Sequence, residues 1–189
     1  MVIGCRVITG CGTVSRLVEP LLHFVVPFAS LRAFRIDLRK AALASLIALA
    51  PDLDVFFHVH RSESHSIIIL AAIVIPLLLL TRNRKEARAI VLLGTFGLIT
   101  HLVLDLFQAP TPLLWPLIND SMMVSAKLDL RIGSGPIVTG SAGLVTGQST
   151  IGFFSSFDAP LLTTQGLGIS VVLLAPTFFT ILRQQHPPP

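Results

Sequence analysis

Three stretches of this chain place histidine and aspartate close together inside otherwise apolar sequence. They are Pro51-Asp52-Leu53-Asp54, the run from His58 through His60-Arg61 to His65-Ser66, and His101-Leu102-Val103-Leu104-Asp105. Ionisable side chains in apolar segments are costly and are retained mainly for function. His101 and Asp105 are four apart, so a helix projects both from one face, where they can share a metal. Asp52 and Asp54, two apart, diverge on a regular helix, but Pro51 favours a local break that turns both carboxylates toward one site. Imidazole and carboxylate donors without thiolate suit Zn²⁺ first, with Mn²⁺ or Fe²⁺ as alternatives. Asp52, His60, His65, His101 and Asp105 are therefore the expected ligands of one or two divalent ions. With water completing the coordination, such a site is catalytic rather than structural: activated water attacks, Asp54 serves as general base, and Arg61 neutralises charge developing on a phosphate.

Each of these residues also has a plainer reading. A histidine or aspartate in an apolar helix can simply hydrogen-bond a neighbouring helix, and His58 is read that way. Arg61 and Glu63 can be solvated loop charges, Ser64 and Ser66 can cap the following helix, and Trp115 between Pro112 and Pro116 suits an interfacial anchor. Cys5 and Cys11 stand apart from the other donors and form no zinc-finger spacing. A metal site is preferred because the same coincidence has to recur in separate segments. The main rivals are a metal-ion or proton transporter, which usually sets such groups near the membrane midplane, and a metal-stabilised membrane protein without catalysis.

The elements that must position these residues are apolar. Of 189 residues, 52% are hydrophobic and 13% charged, with a formal net charge of +4, and the mean hydropathy is +0.80. Such a chain is too apolar for a water-soluble domain of this size. The expectation is an all-α membrane protein, a bundle of four to five transmembrane helices near 17–34, 38–57, 66–81, 89–107 and 160–182. Residues 1–118 then form the helical domain carrying the motifs, 119–159 a Gly/Ser-rich extramembrane loop or cap, and 160–189 a final helix and tail. Arg32, Arg35, Arg39 and Lys40 fill one connection, and Arg82, Arg84, Lys85 and Arg88 another. Positive loops stay cytoplasmic, so the motif-bearing ends fall on the extracytoplasmic face of a multi-pass protein, His23 among them, in a prokaryotic plasma membrane. The basic residues form no aromatic-interleaved face, so direct nucleic-acid binding is not expected. The expected partners are membrane lipid and a lipid or other phosphoester substrate.

The order and spacing of Pro51-Asp52-Leu53-Asp54, His60-Arg61, His65-Ser66, His101 through Asp105 and Leu114-Trp115-Pro116 resemble the membrane-bound metal-dependent hydrolases of the LexA-binding, inner-membrane-associated, YdjM-like type. The resemblance covers about residues 20–118 and is more specific as a combination than in any one block. It implies a metal-dependent hydrolase and adds an early histidine ligand, for which His23 is the candidate here. The chain departs from the pattern at Ser62-Glu63-Ser64, where Gly-x-Thr is common in that family. More distantly, the His-x-x-x-Asp element looks like that of zinc-dependent phospholipase C and related nucleases, which implies phosphoester chemistry by analogy alone.

Overall fold

Prolines and capping residues cut the apolar runs of this chain into helices shorter than the runs themselves. A computed structural model describes residues 20–58, 63–132, 136–148 and 163–185. Among these, α1 spans Pro20–Ala33, α2 Leu38–Ile47, α3 Ile67–Leu80, α4 Lys85–Gln108 and α5 Thr164–Gln185, and two 3-10 helices, Pro51–Phe57 and Glu63–His65, stand between α2 and α3. α2 starts where the Asp37 side chain accepts hydrogen bonds from the backbone N–H groups of Arg39 and Lys40, which the first helical turn leaves without partners. It stops after 10 residues, shortly before Pro51, whose ring opposes continuation of an α-helix. α3 starts at Ser66, whose hydroxyl accepts from the N–H groups of Ile68 and Ile69 and donates to the Trp115 carbonyl. Ser66→Ala removes both the cap and this tie to the Trp115 turn. We expect it to lower the unfolding free energy by about 1–2 kcal/mol, measured by denaturant unfolding in detergent.

The expected all-α bundle of four to five membrane-crossing helices is not the fold of this chain. Among the described residues, α4 is the one helix long and apolar enough to cross a membrane, while Pro20–Ala33, Ile67–Leu80 and Thr164–Thr180 are apolar but shorter. At about 1.5 Å rise per residue, a straight crossing of a ~30 Å hydrocarbon core takes roughly 20 residues. The segment expected at 38–57 falls shortest of that length, because the break at Pro51 divides it. The all-α class is also overturned within 119–159, expected as an extramembrane loop or cap: β1 (Asp120–Ile132) and β2 (Pro136–Gln148) form a two-stranded antiparallel sheet with Asp120 opposite Gln148 and Ile132 opposite Pro136. Lys127-Leu128-Asp129-Leu130-Arg131-Ile132 alternates charged and apolar residues, the period-two pattern of a strand. The sheet is tied back to the end of α4 by reciprocal 2.9 Å backbone hydrogen bonds between Thr111 and Met122.

α2 and α4 pack closely, and this contact sets where the motif-bearing segments meet. Leu31, Ala41 and Ala44 form a buried apolar cluster, with Phe28, Ile36, Leu93 and Phe96 packed against it. A Cβ at Gly97 would sit 2.6 Å from the Ala44 carbonyl oxygen and 3.2 Å from the Ala48 Cβ, so only glycine lets α4 come this near to α2. The chain leaving α2 then enters the first 3-10 helix beside the end of α4 that carries His101 and Asp105. Gly97→Leu must push the two helices apart and is expected to destabilise the protein by about 1–3 kcal/mol, read as a lower thermal midpoint in detergent.

Candidate metal centre

Four elements bring histidine and aspartate side chains to one buried point. α1 supplies His23, the first 3-10 helix Asp52 and Asp54, the second His65, and α4 both His101 and Asp105, one turn apart on a single face. His23, His65 and His101 are fully buried and Asp105 is 1% exposed, whereas Asp52 keeps 20% exposure and opens the cluster outward. His65 Nε2 lies 3.6 Å from Asp52 Oδ1 and 3.2 Å from Asp105 Oδ2. His101 Nε2 lies 3.6 Å from Asp52 Oδ1, 3.2 Å from Asp105 Oδ2 and 3.3 Å from His65 Nε2. All four donors lie within 4.8 Å of one another. A tetrahedral ion with bonds of about 2.0–2.1 Å requires donor separations of about 3.3–3.4 Å. The donor set Asp52, His65, His101 and Asp105 thus fits a divalent ion in both chemistry and spacing.

A further layer surrounds these donors. On the Nδ1 side of the His65 ring, Asp54 Oδ2 lies at 3.5 Å. The Ser64 hydroxyl donates to that same carboxylate oxygen at 2.9 Å and lies 3.0 Å from His65 Nδ1. A carboxylate behind a ligating imidazole fixes its tautomer and ring orientation. Burial by itself would lower the His65 pKa, but hydrogen bonds to Asp105, Asp52 and Asp54 outweigh it and raise the pKa to about 10; the pocket favours positive charge at this ring. The His23 ring lies tilted by 39° against that of His101 with centroids 4.0 Å apart, and its Nε2 is 3.7 Å from the other Asp105 oxygen, Oδ1. Both His23 ring nitrogens and His101 Nδ1 are buried without a hydrogen-bond partner among the described residues.

The structure therefore gathers His23, Asp52, Asp54, His65, His101 and Asp105 of the sequence-predicted set. His60 and Arg61 lie outside the described residues. His58 ends the first 3-10 helix in a left-handed conformation with φ 58°, is exposed, and is not one of the four donors. Ser64, read from sequence as a helix cap, instead reaches Asp54 and His65, while Ser66 makes the cap. Its sole signal in the sequence is its place immediately before His65.

The family model described as YdjM inner membrane protein matches residues 19–182. The chain belongs to the YdjM inner membrane protein family. The match covers most of the chain, including all six gathered side chains and both strands, and makes this an inner membrane protein. Comparison with curated proteins and with solved structures gives no match.

Proposed function

We propose that this protein is a metal-dependent hydrolase acting on a phosphoester or ester, a lipid headgroup first, at the membrane surface. The observation that carries this reading is the convergence of His65 Nε2, His101 Nε2, Asp52 Oδ1 and Asp105 Oδ2 within 4.8 Å of one another, with Asp52 partly exposed on the side from which water and substrate would reach them. Zinc is the first choice for a mixed imidazole and carboxylate set, with manganese or iron as alternatives. When bound, such an ion supplies Lewis acidity to the ester and activates water for attack. His65, His101 and Asp105 form the buried wall that holds it, and Asp52 is the donor nearest the outside, where substrate arrives. Asp54, on the Nδ1 side of His65, is assigned to positioning that ring in place of the general-base role expected from sequence. Arg61, outside the described residues, is proposed to neutralise charge on a phosphate.

The charge pattern supports an extracytoplasmic site. Arg82, Arg84, Lys85 and Arg88 cluster at the start of α4, and basic flanks stay cytoplasmic. His101 and Asp105 lie toward the opposite end of this helix, which is long enough to cross. A second reading rests on the four protein donors themselves: a closed four-ligand set also describes a structural site, in which the ion braces α4 against the two 3-10 helices without turnover. Purified protein in detergent, loaded with zinc or treated with chelator, separates the two. Hydrolysis of phospholipid or of a chromogenic phosphodiester by the zinc-loaded form alone supports the hydrolase. A chelator-induced drop in thermal midpoint, with no turnover on either substrate, favours the structural role.

A further inference from the structure

A groove of about 530 Å³ runs between α1 and α5, remote from the histidine and aspartate cluster in its lining. Its walls are Val26 and Ala29 from α1 and Leu173 and Pro176 from α5. Of the three hydroxyls along it, Thr177 among them, two are occupied by their own helices: Ser30 donates to the Val26 carbonyl and Thr180 to the Pro176 carbonyl, each at 2.8 Å. The wall is therefore mainly apolar. At one end stand two cations, Arg32 and Arg35. Arg32 is half-buried and held in place, because its Nη1 donates to the Ile36 carbonyl at 2.6 Å, while its buried Nε has no partner among the described residues. Arg35 is exposed on the tight turn after α1, with φ 61°.

These two arginines lie at the same end of the molecule as the basic start of α4. α1 leads through this turn into α2, and Lys40 Nζ at the start of α2 pairs with Glu86 Oε2 at the start of α4 at 2.8 Å. In an inner membrane protein this end is at the cytoplasmic headgroup level, where arginines meet lipid phosphates. The volume falls within the range of small-molecule pockets. The geometry points to a binding site for an anionic phospholipid, with one acyl chain lying between α1 and α5 and the phosphate against Arg32 and Arg35. Charge complementarity selects the occupant: an apolar slot ending in two guanidinium groups matches a lipid whose head carries net negative charge, and a zwitterionic head gains less. The site is independent of the metal centre and of any hydrolytic activity.

Native mass spectrometry of the full chain in detergent, offered phosphatidylglycerol, phosphatidylcholine or inorganic phosphate, tests this site. Wild-type protein is expected to retain phosphatidylglycerol in preference to phosphatidylcholine. Arg35→Asn removes one charge with a residue that tolerates positive φ and leaves the Arg32 bond intact. It is expected to weaken phosphatidylglycerol binding roughly fivefold. Arg84→Asn removes the same charge outside the groove and is expected to leave binding unchanged. Leu173→Trp fills the slot and should displace the lipid with both arginines still present. Equal loss in Arg35→Asn and Arg84→Asn would mean diffuse surface attraction and overturn the site. So would wild-type retention in Leu173→Trp, no lipid preference in the wild type, or displacement of the lipid by inorganic phosphate at equal concentration.

Discussion

Replacing His101 and Asp105 together by alanine is expected to strip the protein of its metal. Both side chains leave α4 on one face; His101 Nε2 lies 3.6 Å from Asp52 Oδ1 and 3.3 Å from His65 Nε2, and Asp105 Oδ2 lies 3.2 Å from His65 Nε2. Their loss leaves Asp52 and His65 as a two-donor remnant, too few for retention through exhaustive dialysis. Elemental mass spectrometry on wild type and variant, both dialysed in detergent, reads the outcome. About one or more ions per chain in the wild type and background in the variant is the expected pair of values. Metal-free protein in both cases would reassign the cluster to a polar helix contact or a proton path, and the hydrolase proposal would be dropped. Asp105→Asn, which keeps the shape of the side chain, checks that any loss reflects ligand chemistry and not collapse of a buried site.

The second large effect is expected at Asp54, and it should be graded instead of complete. Asp54 lies behind His65 on the Nδ1 side and shares an oxygen with the Ser64 hydroxyl. It orients the ring that presents Nε2 to the other donors. Loss of such a partner weakens metal affinity by about 10–100-fold. Asp54→Asn is therefore expected to fall in this range in competitive chelator titrations, with some metal still bound at saturating concentration. His58→Ala should leave affinity unchanged. Affinity lost as completely as in the His101 and Asp105 double variant would make Asp54 a direct ligand. An unchanged affinity would remove its positioning role.

Much of the site was legible because its chemistry is written in short local patterns. The spacing of His101 and Asp105 dictates one face of a helix whatever surrounds it. Aspartates just after a proline break, and histidines in an apolar context, stand out because burying such groups is costly without a partner. The high apolar content and the motif order led to the same membrane family that the family match establishes. Sequence also carried the alternation from Lys127 to Ile132, but the glycine and serine content of its neighbours pointed to an extramembrane loop or cap with no defined sheet. The pairing that turns it into a strand involves residues well separated along the chain, such as Asp120 with Gln148, and local composition does not encode that register.

What only the tertiary structure decided is which side chains share a point and which face of each ring they present. Hydropathy registers an apolar run but not where a helix ends inside it, so the break after α2 and the shortness of α1 and α3 removed the expected bundle of membrane-crossing helices. The close approach at Gly97 is a property of two helices together and has no local signature beyond a glycine. Asp52 and Asp54 look equivalent in sequence, yet one reaches the Nε2 side of His65 and the other the Nδ1 side. Ser64 and Ser66, both readable as caps of α3, likewise part ways: Ser66 makes the cap while Ser64 reaches Asp54 and His65, because a turn of 3-10 helix, with three residues per turn, directs neighbouring side chains differently from the α-helix that follows. Residue types determined that a metal site was chemically reasonable; the packing of α4 against α2 and the 3-10 helices determined which four atoms stand close enough together to form one.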